Sequence, residues 1–374
     1  MNPEKQFYPL GVGGELEKQK ETLSLYQVNN KVEYVNTHIQ APFELSEGTQ
    51  TDLGIFLSPV PKQSEPTYGI EKQKYHGRAG LLGRVIIQDD EGRKYRDIDA
   101  KGVGYLSQKH IFEFSGTPGI LNYEAATKER DVSEAMLKLG LRASRVLSII
   151  RLKEIFDKEG KRISIEEAKQ KGLIRGTDEP VMEIRLMGTN ARIQDIIISN
   201  EDTTYTETQQ KNVLRIEDAI IIVGQELGKK PEEFSLKDYE IWFAQNLGQQ
   251  VALMHHNGWV HICLTDQNIT LDGRIVDFAT AEHYSEQKPN VEELLSKANW
   301  SGDILKAVHS LRKFCRQIYK NTLFTKLGDG IGLERLIEEF KKSYFDNLKL
   351  SEENRLRTEQ SLEREIAWGS GKIW

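Results

Sequence analysis

The sequence predicts an α+β protein of two lobes, β-rich in its first part and helical in its second. Three observations predict it. Short aliphatic and β-branched runs, bounded by glycines and turns, crowd residues 77–187 around one longer amphipathic helix. Long helical periods dominate from about residue 205 onward. One compact loop-and-strand stretch, 259–282, interrupts those helices. Strands segregated from helices mark α+β organisation, and 374 residues suit two domains or one large two-lobed unit. The expected division is 1–70 as an irregular N-terminal extension, 71–205 as the N-lobe and 206–374 as the helical C-lobe with its loops.

Residues 1–70 carry prolines (Pro3, Pro42, Pro59 and Pro61 among them) and no clear period, hence the irregular lead-in. GRAGLLGR at 77–84 reads as a glycine-rich turn, followed by a strand over Arg84–Gln88. An Asp-Asp-Glu-Gly turn leads into a second strand ending near Lys101. Over 128–141 Val132, Ala135, Met136 and Leu139 recur at helical spacing, and Gly140 stops the helix. Residues 145–151 and 181–187 read as two more strands. Ser164 and Glu167 form a capping-box signature that opens a short helix. Two long amphipathic helices follow, over 212–230 and 235–258, the second stopping at Asn257-Gly258; helix returns from about 290.

Lys plus Arg is 51 and Asp plus Glu is 57, a net charge of −6 that points to neither a basic domain nor a basic stripe. Nucleic acid is therefore not an expected partner. The longest apolar run, Ala219–Gly224, is far short of the ~20 residues that span a bilayer, so no membrane partner is expected either. The opening MNPEKQFYPL has no apolar signal-peptide core. Two cysteines, Cys263 and Cys315, cannot form a disulfide framework or a structural zinc site, and read as small buried hydrophobes. The expectation is a soluble, reduced, cytoplasmic protein. His255-His256, near a helix end, reads as a surface site that suits the helix dipole rather than as a metal site.

The chemistry concentrates in His261-Ile-Cys-Leu-Thr-Asp-Gln-Asn268 and in Asp277, nine residues on. Asn268 and Asp277 on neighbouring short strands, joined by a Leu-Asp-Gly-Arg turn, can converge on one hard cation such as magnesium. Polar residues ending an ordinary hairpin would look the same. Upstream lie Gly80 and Gly83 in the glycine-rich run, Lys101 at a strand end and Glu129 in the next helix. Glycine loop, strand lysine, helix glutamate, metal Asn and metal Asp follow one another in the order found in protein kinases. Cys263 stands where a kinase keeps its catalytic aspartate, two residues after the histidine, which makes ordinary phosphoryl transfer look impaired.

From Tyr68 to Glu282 the chain resembles the selenoprotein O family, pseudokinase-fold protein adenylyltransferases. The resemblance is carried by Tyr68-Gly69, the GRAGLLGR run, Asp99-Ala-Lys101-Gly-Val-Gly104, Lys128-Glu129 and Ser133-Glu-Ala-Met136. Arg185 and Arg192, seven residues apart, and the spacing of His261, Asn268 and Asp277 continue it. It implies a kinase-like fold that binds ATP flipped, with magnesium or manganese, and moves AMP to a Ser, Thr or Tyr hydroxyl. Gly80, Gly83, Lys101, Arg185 and Arg192 would hold phosphates, Glu129 would position Lys101, and Asn268 and Asp277 would bind the metal. Asp266 would be the base, or no enzyme group would serve. The chain departs from the family at Gln267, where an aspartate is usual, and at Phe278-Ala279 in place of Tyr-Gly. Its tail, IAWGSGKIW, also lacks the redox cysteine or selenocysteine, and the acceptor, protein or small molecule, stays open. Two other outcomes fit the same residues: activation of a carboxylate as acyl-AMP for ligation, and a non-catalytic nucleotide-binding scaffold.

Overall fold

The computed structural model describes residues 22–58, 67–71, 77–104, 119–157, 159–197, 205–284, 298–320, 327–348 and parts of 323–363. The chain divides into two compact units, Met1–Glu134 with Ser144–Ala191, and Ala135–Ala143 with Arg192–Trp374. Among the described residues no helix is long and apolar enough to cross a membrane.

The first unit contains β1 (Thr22–Gln27), β2 (Asn30–Val35), β3 (Ile55–Leu57), β4 (Thr67–Glu71), β5 (Ala79–Gln88), β6 (Lys94–Lys101) and β7 (Leu121–Asn122). Helix α1 (Tyr123–Lys138) follows, then β8 (Arg145–Leu152), β9 (Glu154–Phe156), β10 (Arg162–Ser164), α2 (Ile165–Gln170) and β11 (Pro180–Met187). Nine strands form one antiparallel sheet in the order β2-β8-β11-β6-β5-β4-β1-β3, with β7 added beside β11. The period of two sorts its central strands. Ile98 and Ala100 of β6 join Ile184 and Leu186 of β11 in the apolar core, whereas Asp97, Asp99 and Lys101 alternate with them. Those charged residues are buried as well, so both faces of this part of the sheet are covered.

The irregular extension expected over 1–70 is corrected here. Residues 22–71 supply β1 to β4, and Leu25, Tyr26, Val32, Ile55 and Phe56 lie in the core; residues 1–21 lie outside the described residues. Pro42 sits in the connection after β2, so it marks a loop between strands and not an irregular segment. The glycine-rich run is also different. Gly77 is in a turn, but Gly80 and Gly83 are within β5, opposite Ala100 and Ile98, with a register shift between Leu81 and Gly83. Glycine inside a strand commonly marks such a bulge. Gly102, immediately after Lys101, has φ +90, and a Cβ there would meet the Val181 carbonyl at 2.4 Å. Only glycine lets the chain leave β6 so close to β11.

The second unit holds a 3-10 turn (Ile193–Ile196), α3 (Tyr205–Glu226), α4 (Leu236–His256), β12 (Trp259–Val260), β13 (Glu282–His283), α5 (Ala298–Lys320) and α6 (Leu333–Leu348). Ser235 and Asp238 cap α4 reciprocally. A Cβ on Gly248 of α4 would lie 2.4 Å from the Phe340 carbonyl of α6, so a glycine allows this close helix crossing. Phe243 of α4 stacks on Phe314 of α5 at 4.9 Å between centroids.

The division falls at 191/192 instead of 205/206 for a physical reason. Ile193 N donates to Ile269 O, and Gln194 N to Asp266 O, so the turn after β11 belongs to the loop of the second unit. His255 is buried instead of surface-exposed: its Nδ1 pairs with the Tyr344 hydroxyl at 3.0 Å, and burial lowers its pKa. Cys315 is buried as expected, its thiol pushed up to about 12 by burial, but Cys263 is only half-buried.

Buried Glu240 on α4 accepts from Ile331 N at 2.7 Å, yet burial lifts its carboxyl from 4.5 to about 6. The folded state thus holds this proton more tightly than the unfolded chain. Its stabilising contribution is full below about 4.5 and is lost as pH rises through about 6. Glu240→Gln keeps an acceptor for Ile331 and removes the titration. We expect the variant to be more stable than the parent by about 1–2 kcal/mol at pH 8, with the gap closing toward pH 4.5. Urea midpoints across that range check it.

Candidate functional site

In the first unit the predicted residues gather on the charged face of the sheet. Lys101 ends β6, Asp99 precedes it by two residues on the same face, and Arg185 and Glu183 lie opposite them on β11. Glu129 comes from α1, and its carboxylate is shared. Lys101 Nζ lies 2.5 Å from Oε2, and Arg185 Nη1 donates to Oε1 at 2.9 Å. Arg185 Nη2 donates to Asp99 Oδ2 at 3.1 Å. Glu129, Asp99 and Arg185 have no exposed surface, and Lys101 is 5% exposed. Lys101 and Glu129, predicted as a pair, are therefore in contact. Arg185, predicted to hold phosphate, has both terminal nitrogens on carboxylates. Asp99 is not among the predicted site residues, although its two-residue offset from Lys101 in a strand is a signal for it.

The second unit holds the loop 261–277. His261 N donates to Asp303 Oδ2 at 2.6 Å, and its Nε2 donates to Val276 O at 2.9 Å. Lys306 Nζ reaches Ile262 O, and Asn268 Nδ2 donates to Cys263 O at 2.8 Å. Thr270 and Arg274 close the hairpin, and Val276 N donates to Asn268 O at 3.0 Å. Asn268 and the residue before Asp277 are thereby brought side by side, as the turn chemistry of Leu271-Asp272-Gly273-Arg274 predicts. Two non-glycine residues with positive φ fall in this loop, Ile262 at 67° and Asp277 at 65°. A β-branched residue such as isoleucine rarely adopts this conformation, and its contacts must hold it there.

Arg192 N donates to Asp195, and Arg192 Nη1 donates to Gln267 O at 2.6 Å and to Asp277 Oδ2 at 3.0 Å. Arg192, predicted as a phosphate ligand, is thus seated on a predicted metal ligand. Asp266 is buried with both carboxylate oxygens on Lys313 Nζ, at 3.0 and 3.1 Å. Lys306, Lys313 and Asp303 all come from α5 and are not among the predicted site residues. Their spacing of three and seven residues along one helix face is the signal for them.

Asn268 commits its amide nitrogen to Cys263 O, which leaves Oδ1 as its acceptor, and Asp277 offers carboxylate oxygens. An all-oxygen pair fits a magnesium ion that keeps several waters. Among the described residues no group of three or more His, Cys, Asp or Glu side chains stands ready to hold a metal without such help.

No protein-family model and no curated protein matches the chain. Among solved structures it is similar to WaaP in complex with acyl carrier protein, at 13% identity and TM-score 0.32, over 82% of this chain and 88% of that one. It is also similar to a Toxoplasma gondii specific rhoptry antigen kinase domain, at 10% identity and TM-score 0.32, over 81% of this chain and 85% of that one. The α+β class read from the sequence agrees with the observed strand-rich unit and helical unit.

Glu129→Gln leaves two buried cations facing a neutral amide. The expected cost is about 3–5 kcal/mol, because breaking a buried ionic cluster strands its remaining charges. Denaturant unfolding measures it. The double variant Lys101→Met/Glu129→Leu should lose less than Glu129→Gln, since it removes charge from both sides.

Proposed function

We propose that the chain binds ATP with magnesium and transfers AMP to a protein hydroxyl. The observation that carries this reading is the buried Lys101–Glu129 pair at 2.5 Å, a fixed ammonium of the kind that grips nucleotide phosphates. Lys101 meets the phosphates, and the β5 backbone around Gly80 and Gly83 approaches them. Arg185 acts through Glu129, holding the carboxylate that orients Lys101. Arg192 leaves Asp277 for phosphate when nucleotide arrives. Asn268 and Asp277 hold the metal, which neutralises phosphate charge when bound.

The acceptor oxygen bonds to the α-phosphorus, and the bond from that phosphorus to the pyrophosphate bridging oxygen breaks. The hydroxyl proton passes to the Asp266 carboxylate, which Lys313 of α5 fixes in position through both oxygens. Cations on the departing pyrophosphate lower the barrier by stabilising the charge that develops there.

The test uses ATP labelled at either end. Transfer of label from the α position, absent with γ label, is expected; label arriving only from the γ position sinks the reading. Asp277→Asn and Lys101→Met should each lower transfer about a hundredfold or more. One observation favours a second reading, a nucleotide-binding scaffold: Arg192 already neutralises Asp277. That reading expects ATP to raise the melting temperature with no turnover of any acceptor.

A further inference from the structure

Helix α5 carries a lopsided charge. Over Ala298–Lys320 it has five lysines and arginines (Lys306, Arg312, Lys313, Arg316 and Lys320) against one acid, Asp303, in a chain of net charge −6. At about 100° per residue, these five and His309 fall within an arc of about 120° on the helix. Ile304, Val308, Leu311, Phe314 and Ile318 are buried on the opposite side. The result is a basic stripe about 21 Å long, from about 14 residues at ~1.5 Å each. The sequence-wide charge balance, which suggested no basic stripe, averaged it away.

The stripe is anchored at the loop already described. Lys306 contacts Ile262 O and Lys313 contacts Asp266. The side chains of Arg312, Arg316 and Lys320 make no ion pair among the described residues, and Arg316 and Lys320 are exposed. Tyr319, 50% exposed, lies at the edge of the same arc. Burial first, then Lys313 and Arg312, hold the His309 pKa below its ordinary value, with Asp266 opposing them. A local positive potential is the shared cause of the two cation effects.

We propose that this stripe is the docking surface for the acceptor, and that the acceptor is an acidic protein segment whose hydroxyl is led to Asp266. The proposal rests on the AMP-transfer reading for its chemistry but not for its binding surface. Complementary charge steers encounter and selects partners, and it weakens as salt rises. Three uncommitted cations in a single row match a short run of Asp or Glu beside the accepting residue. The net negative charge of the whole chain disfavours a long polyanion such as nucleic acid.

The experiment is fluorescence anisotropy of the full chain with a labelled glutamate-rich peptide carrying one tyrosine, beside its lysine-rich and neutral counterparts. An oligonucleotide serves as competitor. Arg312→Glu/Arg316→Glu/Lys320→Glu leaves Asp266, Lys313 and the nucleotide residues untouched. The acidic peptide should bind, and the variant should weaken it about tenfold or more, with ATP binding and melting temperature unchanged. The same variant should raise the KM for this peptide in AMP transfer and leave kcat in place. Equal binding of all three peptides, or acidic-peptide binding that the variant does not weaken, overturns the proposal. Tighter, stripe-dependent binding of the oligonucleotide overturns it in favour of nucleic acid. Stripe-dependent peptide binding without AMP transfer keeps the docking surface and removes the proposed chemistry instead.

Discussion

A carboxylate without access to water must be met by charge or be neutralised, and Glu129 is met twice. Lys101 takes one oxygen and Arg185 the other, with Asp99 balancing the arginine. Desolvating such groups costs several kcal/mol apiece, which their mutual attraction offsets only in good geometry. The cluster joins β6, β11 and α1, so the strand ends and the helix cannot shift independently. The first unit's predicted charged residues, Lys101, Glu129 and Arg185, are all held by that constraint. The lysine is fixed because the glutamate is fixed, and the glutamate is fixed by an arginine from the next strand.

In the second unit the equivalent task falls to a helix. Asp303, Lys306 and Lys313 lie along α5 and contact His261, Ile262 and Asp266 respectively. Three contacts from one helix tie the start of this loop to α5. Ile262, whose carbonyl Lys306 reaches, has a left-handed backbone, and Asp277 adopts the same region beside its contact with Arg192. Both positive-φ non-glycine residues among those described thus fall in the loop 261–277. Local sequence preference would not produce either conformation.

Much of this was legible in the chain itself, for identifiable reasons. Strands β8 and β11 are announced by aliphatic runs and the end of α4 by Asn257-Gly258, which are local signals. The Lys101–Glu129 contact was legible because one ordered set of motifs predicts both partners. Residues 22–71 were not, because their strands are short, set among loops, and in the case of β2 paired only with β8 far along the chain. The role of Arg185 was hidden for a similar reason. A seven-residue spacing to Arg192 says nothing of Asp99, which only strand pairing brings opposite it. The stripe on α5 was hidden by averaging, since a net charge over the chain carries no direction.

The sheet order has a consequence for how the protein is made. Strand β2 pairs with β8, more than a hundred residues later, while β1 lies between β3 and β4. During synthesis β2 therefore emerges long before its neighbour exists. Sheets dominated by such distant pairings close slowly, and their waiting edges are open to other chains. Assembly of the first unit must pass through an interval in which an early strand has no partner, and its open edge is a place where another chain could pair.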